Sequence, residues 1–249
     1  MAKQITKRVT LDRLFSKLGL ASRGVAREWI RAGRVRVNRL LTRDPNMWVN
    51  WPKNNIALDD IPLQDTAKRF FLFHKPKGVI TTHSDEKDRK TIFDLLPKEF
   101  GFIHAVGRLD QHTSGLLLLT NDSTLSSYMT DPVNLLMRVY LVTVRGEFSE
   151  AFRQQAIAGI MDKGELLQCY SLSIQKTSTR ESHLEVVLKE GKNREIRRLF
   201  KALNHEVMRL RRIQYGPFKL GEMQPGEWRE LAIDEVQKAV GEKTLELRM

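Results

Sequence analysis

The sequence predicts an α+β protein in two parts: a small α/β module over residues 9–63, then a larger domain over residues 70–249 built on a mainly antiparallel mixed sheet. Helical periodicity gives way to strand alternation within the first forty or so residues. A polar, aperiodic stretch at residues 64–69 follows and is placed as the linker. Beyond it, strands recur with few helices between them, which argues against a parallel doubly wound sheet.

In the first module, Leu11, Leu14, Phe15 and Leu18 recur at helical spacing, with Thr10 placed to cap and Gly19 to terminate. Ser22 opens a second helix that turns Val25, Ala26, Trp29 and Ile30 inward and stops at Gly33. Arg34 to Asn38 alternates polar and apolar and reads as a half-buried strand. In the larger domain, Phe70 to Phe73 and Val79 to Thr82 read as strands separated by Pro76 and Gly78. Residues 84–91 are charged and are expected to form a mobile loop, followed by a helical turn from Thr91 to Leu96. Met137 to Val144 and His183 to Leu188 are strands, and residues 149–160 are helical. Ile196, Leu199, Phe200 and Leu203 define the core face of a last helix, with Arg194, Arg198 and Lys201 pointing away and Arg197 at the border, able to reach inward.

The chain is organised around Gly107-Arg108-Leu109-Asp110-Gln111-His112-Thr113-Ser114-Gly115, held between the apolar runs 102–106 and 116–119. A polar loop between two core elements is a rigid mount for reactive side chains. On loop composition alone, Asp110 reads first as a turn aspartate that bonds its own backbone, and only the rest of the chain overturns that reading.

The net charge of +12 points to a polyanionic partner. Residues 1–45 hold 12 Lys and Arg against 3 acids, a local net of +9. Arg23, Arg27 and Arg31 form a stripe along the second helix, continued by Arg34 and Arg36 on the strand. Only Glu28 dilutes it, so the stripe reads as a phosphate-binding surface more than as an ordinary solvated face, which mixes both signs. A single Cys169 excludes an intramolecular disulfide and fits a reducing compartment. The scattered histidines offer no metal spacing, the N-terminus lacks the apolar stretch of a signal peptide, and no run approaches a membrane span, so a cytoplasmic protein is expected.

Two helices followed by Gly33-Arg34-Val35-Arg36-Val37-Asn38 resemble the alpha-L RNA-binding module, although Trp51-Pro52-Lys53-Asn54 replaces its usual turn. The whole chain resembles the pseudouridine synthases of the ribosomal small-subunit type. The resemblance rests on Val106 to Asp110 with Thr113 to Asp122, on Lys75-Pro76-Lys77-Gly78, on Arg138 to Val142, and on Asn193 to Arg198. It implies an RNA-binding module followed by a pseudouridine synthase catalytic domain. Asp110 would be the catalytic aspartate, Tyr140 the residue against the target base, and Arg197 the partner of the aspartate. Arg108 would hold the RNA open, and Lys75, Arg138, Lys192, Arg194 and Arg198 would join the module's arginines in contacting RNA. Arg138 stands where Lys is common, Glu195 where Gln is usual, and Ser123 where Gly is frequent. The expected substrate is a uridine flipped out of RNA, with ribosomal RNA expected, acted on by a monomer without cofactor or metal, since no redox step or external group is involved. The competing readings are an RNA-binding or ribosome assembly factor with an idle catalytic domain, and a nucleoside glycosidase.

Overall fold

The computed structural model of the protein describes residues 7–83 and 85–241. The N-terminal residues 1–6, position 84 of the charged loop and residues 242–249 of the larger domain lie outside the described residues.

The first module contains β1 (Lys7–Thr10), α1 (Leu11–Lys17), α2 (Arg23–Arg31), β2 (Val35–Val37), β3 (Leu40–Thr42), β4 (Trp48–Trp51), β5 (Ile56–Leu58) and β6 (Ile61–Pro62). β1 pairs with β4, and the others form a sheet of order β3-β2-β5-β6. Leu11, Leu14, Phe15, Ala26, Ile30, Val35, Val49 and Ile56 close one apolar core. Each large side chain among them contributes about 1.5–3 kcal/mol on burial. Ser22 Oγ accepts from Val25 N–H and caps α2 as expected. Three details differ from expectation. Thr10 does not cap α1, because its hydroxyl donates to Asp12 at 2.6 Å. Val25 is exposed, since the turn of α2 carries it past the core edge. No hairpin forms around Pro52, because β4 pairs with β1 while β5 pairs with β2.

The larger domain contains β7 (Phe70–Lys75), β8 (His104–Val106), β9 (Ser114–Thr120), α3 (Ser123–Thr130), β10 (Arg138–Arg145), α4 (Glu150–Ala158), β11 (Ile160–Asp162), β12 (Glu165–Leu167), β13 (Ser171–Lys176), β14 (Glu181–Leu188), α5 (Glu195–Ala202), β15 (Val207–Tyr215), β16 (Phe218–Lys219), β17 (Trp228–Leu231) and α6 (Ile233–Val240). Its main sheet runs β13-β14-β10-β15-β9-β7-β17, and the one parallel contact among these pairs is β15 with β9. The fold is therefore the α+β, mainly antiparallel mixed sheet that the strand spacing predicts. Both faces are covered, which is why β7 and the middle of β9 read as unbroken apolar runs. Phe71, Phe73, Leu117 and Leu119 pack with α4 and α5 on one face. Phe70, Leu72, Leu116 and Leu118 pack with α3 and α6 on the other.

Val79 to Thr82 form no strand. Val79 and Ile80 are buried, and their one ladder contact among the described residues is an isolated bridge from Ile80 to Thr91. Residues 63–69 carry neither helix nor strand. Asn121 ties them to the larger domain, donating to Ala67 O at 2.8 Å and accepting from Arg69 N–H at 2.9 Å. Gly19 of the first module sits against the same Asn121. Its φ of +67° and a space in which a Cβ would lie 2.8 Å from Asn121 Cβ both require glycine. No helix among the described residues is long and apolar enough to cross a membrane.

Candidate active site

The loop between β8 and β9 puts Asp110 on the wall of an open trough of about 730 Å³. The carboxylate of Asp110 accepts no backbone N–H among the described residues, unlike Asp44, Asp85, Asp122 and Asp131, whose side chains cap their own turns. What turns the loop is the backbone, with Thr113 N–H donating to Asp110 O at 3.0 Å. The side chain is thereby left one-third exposed to the trough.

Two cations, one buried and one half-buried, grip this loop by its carbonyls. Lys75, fully buried at the end of β7, donates from Nζ to Asp110 O, Thr113 O and Pro76 O at 3.1, 2.9 and 3.1 Å. Burial pushes its ammonium down from 10.5 to about 8, against the opposing pull of Asp110. Arg197 of α5 donates to His112 O at 2.8 Å and Val207 O at 3.0 Å. Burial, and then the nearby Arg194, lower its pKa, while Asp110 raises it.

The ion pair expected between Asp110 and Arg197 does not form. Arg194 is the cation on the carboxylate, at 3.5 Å. The physical reason is local. Arg194 is not a helical residue but the N-cap of α5, in the left-handed region at φ 49°, so it leaves the helix face that an ideal helix would give it. Arg197, one turn further in, is drawn down onto two carbonyls. The Arg194–Asp110 contact is long and solvent-accessible, so it holds the carboxylate only weakly.

Tyr140 lies in the trough wall, 8% exposed, on the central strand β10. Arg108 is exposed and lines the same trough. Cations outnumber acids eight to four in the lining, which favours an anionic occupant.

Several cations assigned to RNA contact are engaged by the protein instead. Lys75 is a buried clamp with no access to a ligand. Arg138 is 8% exposed, donates to Leu136 O and Lys189 O, and stacks on Tyr215. Arg198 is tied to Asp162 and Glu165 of the β11–β12 hairpin, at 2.6 Å in each case. Lys192 bonds Leu166 O and Glu190. Most of these partners are distant in sequence, and residue type alone does not reveal them. Arg194 and Arg108 keep accessible charge in the trough.

The basic stripe of the first module is real but partly compensated, and none of its arginines lines the trough. Arg23 and Arg27 both donate to the buried carboxylate of Asp12, at 3.0 and 2.9 Å. Burial pushes that carboxyl up, and bonds from Thr10, Arg23 and Arg27 overcome it, leaving it below its ordinary value. Arg34 pairs with Asp59 and Arg36 with Asp60. Glu28 is therefore not the only acid diluting the stripe. Arg31 is exposed and has no ion pair among the described residues.

Among the residues to which sequence reasoning gives no catalytic role are Thr113, Glu195 and Arg212. All three are buried and line the trough. Glu195 accepts from Lys192 N–H, and burial raises its pKa. For Arg212 a signal existed. Met208, Leu210 and Arg212 share one face of β15, so strand alternation alone turns Arg212 inward while Arg209 and Arg211 face out. Cys169 is a buried free thiol, pushed up to about 11 by burial.

The family model described as RNA pseudouridylate synthase matches residues 69–202, and that of the S4 domain matches residues 9–50. A protein of Aquifex aeolicus (strain VF5), named an uncharacterized RNA pseudouridine synthase, is 34% identical over 239 residues, covering 94% of this chain and 96% of its own. The ribosomal large subunit pseudouridine synthase B of Bacillus subtilis (strain 168) is 32% identical over 231 residues, covering 92% and 94%. A crystal structure described as a pseudouridylate synthase superposes with a TM-score of 0.64 at 26% identity, covering 93% of this chain and 99% of that one.

Proposed function

The chain belongs to the RNA pseudouridylate synthase family, and from that premise we propose that Asp110 is the carboxylate through which it isomerises a uridine of ribosomal RNA. The observation that carries this reading is that, among the described residues, only one long, solvent-accessible contact, from Arg194, holds the carboxylate of Asp110. Its loop is fixed by backbone bonds and by Lys75 and Arg197, and the side chain itself caps nothing.

Isomerisation breaks the bond between C1′ of the ribose and N1 of the base, turns the base, and joins C1′ to C5. An ionised carboxylate serves this either by attacking C1′ or by taking a proton from the sugar so that a glycal forms. The uridine must first leave its stack, at a cost of a few kcal/mol. Stacking on Tyr140 returns ~1–3 kcal/mol. Arg194 and Arg108 meet the backbone at the trough, and Arg31 with its neighbours meets it on the first module. Arg197 acts through the loop it holds.

The name of the Bacillus subtilis relative supports ribosomal RNA, and within it the large subunit, as the substrate class. A monomer in the cytoplasm, where ribosomal RNA and a reduced thiol coexist, completes the reading. The test is Asp110→Asn. It should bind ribosomal RNA as the wild type does but release no tritium from uridine labelled at C5. Undiminished release would reject the assignment.

A further inference from the structure

Four of the five buried polar side-chain atoms without a hydrogen-bond partner among the described residues belong to residues lining the trough: Thr113 Oγ1, Glu195 Oε1, Arg197 Nε and Arg212 Nη2. Buried polar atoms are ordinarily paired, so such a concentration marks where an occupant completes the bonding.

Arg212 stands out among them. It is 3% exposed and has no carboxylate within 4.0 Å among the described residues. Its Nε donates to Leu116 O at 2.8 Å, and its guanidinium lies 4.7 Å from the centre of the Tyr215 ring. Those contacts fix the side chain and leave Nη2 unspent. Its backbone position is fixed as well. Arg212 is the cross-strand partner of Tyr140 on β10 and the parallel partner of Gly115 at the start of β9. At Gly115 a Cβ would lie 2.2 Å from Arg212 O, so β15 meets the end of the Asp110 loop only because residue 115 is glycine. The arginine is thus held between the strand carrying the base-facing ring and the strand that grows out of the catalytic loop.

We propose that Arg212 is a catalytic residue, donating from Nη2 to a carbonyl oxygen of the uracil as the C1′–N1 bond breaks. The inference rests on the function proposed above. When that bond breaks, its electron pair stays with the base. N1, and by conjugation O2 and O4, carry one negative charge, whichever route Asp110 takes at the sugar. On rejoining, C5 supplies the electrons of the new bond to C1′, the proton on C5 departs, and N1 gains one. Uridine and product therefore have the same atoms, and the charge on the base exists only between the two bond changes. A guanidinium does not give up its proton, so it helps by charge and hydrogen bonding alone. A cation without a carboxylate neighbour, fixed in place and out of water, acts most strongly where charge develops.

A departing base that is already a weaker base needs this help less. Ribosomal RNA transcribed in vitro with uridine, or with 5-fluorouridine in its place, supplies the comparison, because fluorine withdraws electrons from the ring. Single-turnover loss of each nucleoside is followed by chromatography of nuclease digests. Arg212→Gln should lower the rate on uridine by about 100- to 1,000-fold. On 5-fluorouridine it should lower it by less than about tenfold, with RNA affinity in filter binding little changed. Equal losses on the two substrates, or a loss confined to affinity, would overturn the proposal. If Arg212→Gln does not fold, Arg212→Lys carries the same comparison: it shortens the side chain and removes the planar donor, and its losses must again be unequal. A wild-type protein inactive on uridine transcripts would defeat the isomerase reading itself, a result distinct from equal losses.

Discussion

Replacing Lys75 with Met separates the stability of the larger domain from the geometry of the loop that carries Asp110. The substitution removes three hydrogen bonds, to Pro76 O, Asp110 O and Thr113 O. Net loss of a bond to a charged donor is about 1.5–3 kcal/mol, and the carbonyls left behind are largely out of water. Against this stands the penalty for keeping the ammonium buried. Its pKa falls from 10.5 to about 8, and at 1.36 kcal/mol per unit the folded state gives up about 3 kcal/mol at neutral pH. The two effects oppose each other, so unfolding in urea should show a net destabilisation of no more than a few kcal/mol. The pH dependence gives the sharper signature. A lysine whose folded pKa is depressed binds fewer protons folded than unfolded between pH 8 and 10.5. Wild-type stability relative to Lys75→Met should therefore rise across that window and be flat below it. Activity should not share the compensation. Without the clamp, Asp110 loses two of the fixed points on its loop, and a misplacement of about 1 Å costs on the order of 100-fold in rate. A Lys75→Met protein that turns over at more than a third of the wild-type rate would refute the view that this lysine positions the loop.

The two site variants, Asp110→Asn and Arg212→Gln, have their outcomes set out above, and two further predictions concern the first module. Asp12→Asn removes the buried carboxylate that Arg23, Arg27 and Thr10 share, and should cost about 1.5–3 kcal/mol in urea unfolding. Because the folded carboxyl is held below its ordinary value, that contribution is present above roughly pH 4 and is lost as pH falls through the folded value. A wild-type and variant pair that converges at neutral pH instead would contradict the pairing. Arg31→Ala should reduce the slope of log K against log salt for RNA binding by about 0.7, while Arg34→Ala, whose charge is shared with Asp59, should change it by less than half as much. Filter binding over a range of potassium chloride concentrations measures both, and equal slopes for the two variants would remove the distinction between free and compensated arginines.

Much of this was legible in the chain because periodicity carries burial directly. Leu11, Leu14, Phe15 and Leu18 could be read as one face of a helix, and Val35 with Val37 as one face of a strand, without knowing what they touch. The Asp110 loop was legible for a related reason: two apolar runs fix its ends, and polar residues between core strands have few places to go. What was not legible depends on contacts between distant residues. Arg34 meets Asp59 and Arg36 meets Asp60 some 24 or 25 positions away, and Arg198 meets Asp162 and Glu165 over more than thirty. Lys75 could not be told from a surface lysine, since its acceptors are backbone carbonyls, which every sequence has. The exchange of Arg194 for Arg197 at Asp110 has a different origin. A helical wheel assumes helical angles at every position, and one left-handed residue at the cap redirects the side chain that matters.

The two ways in which this protein handles its arginines point to a division of labour. On the first module, the charges of Arg23, Arg27, Arg34 and Arg36 are shared with acids, and the groups remain substantially exposed. Such a surface attracts a polyanion at long range, is screened by salt, and has little geometric preference. In the trough, Arg138 and Arg212 are buried without a carboxylate partner among the described residues, and polar atoms of four lining residues are left unmet. Burying a charge in this way costs stability, so it persists only where the surrounding core fixes it, here the packed faces of β9, β10 and β15. An unmet donor at a fixed position has the opposite properties: it acts over one bond length, is shielded from salt, and distinguishes one chemical group from another. If the trough is the site proposed above, affinity for RNA in general is expected to come from the first module, and the choice of which base reacts from the trough. A variant that lost discrimination among bases should accordingly map to the residues around Tyr140 and Arg212, not to the arginines of α2.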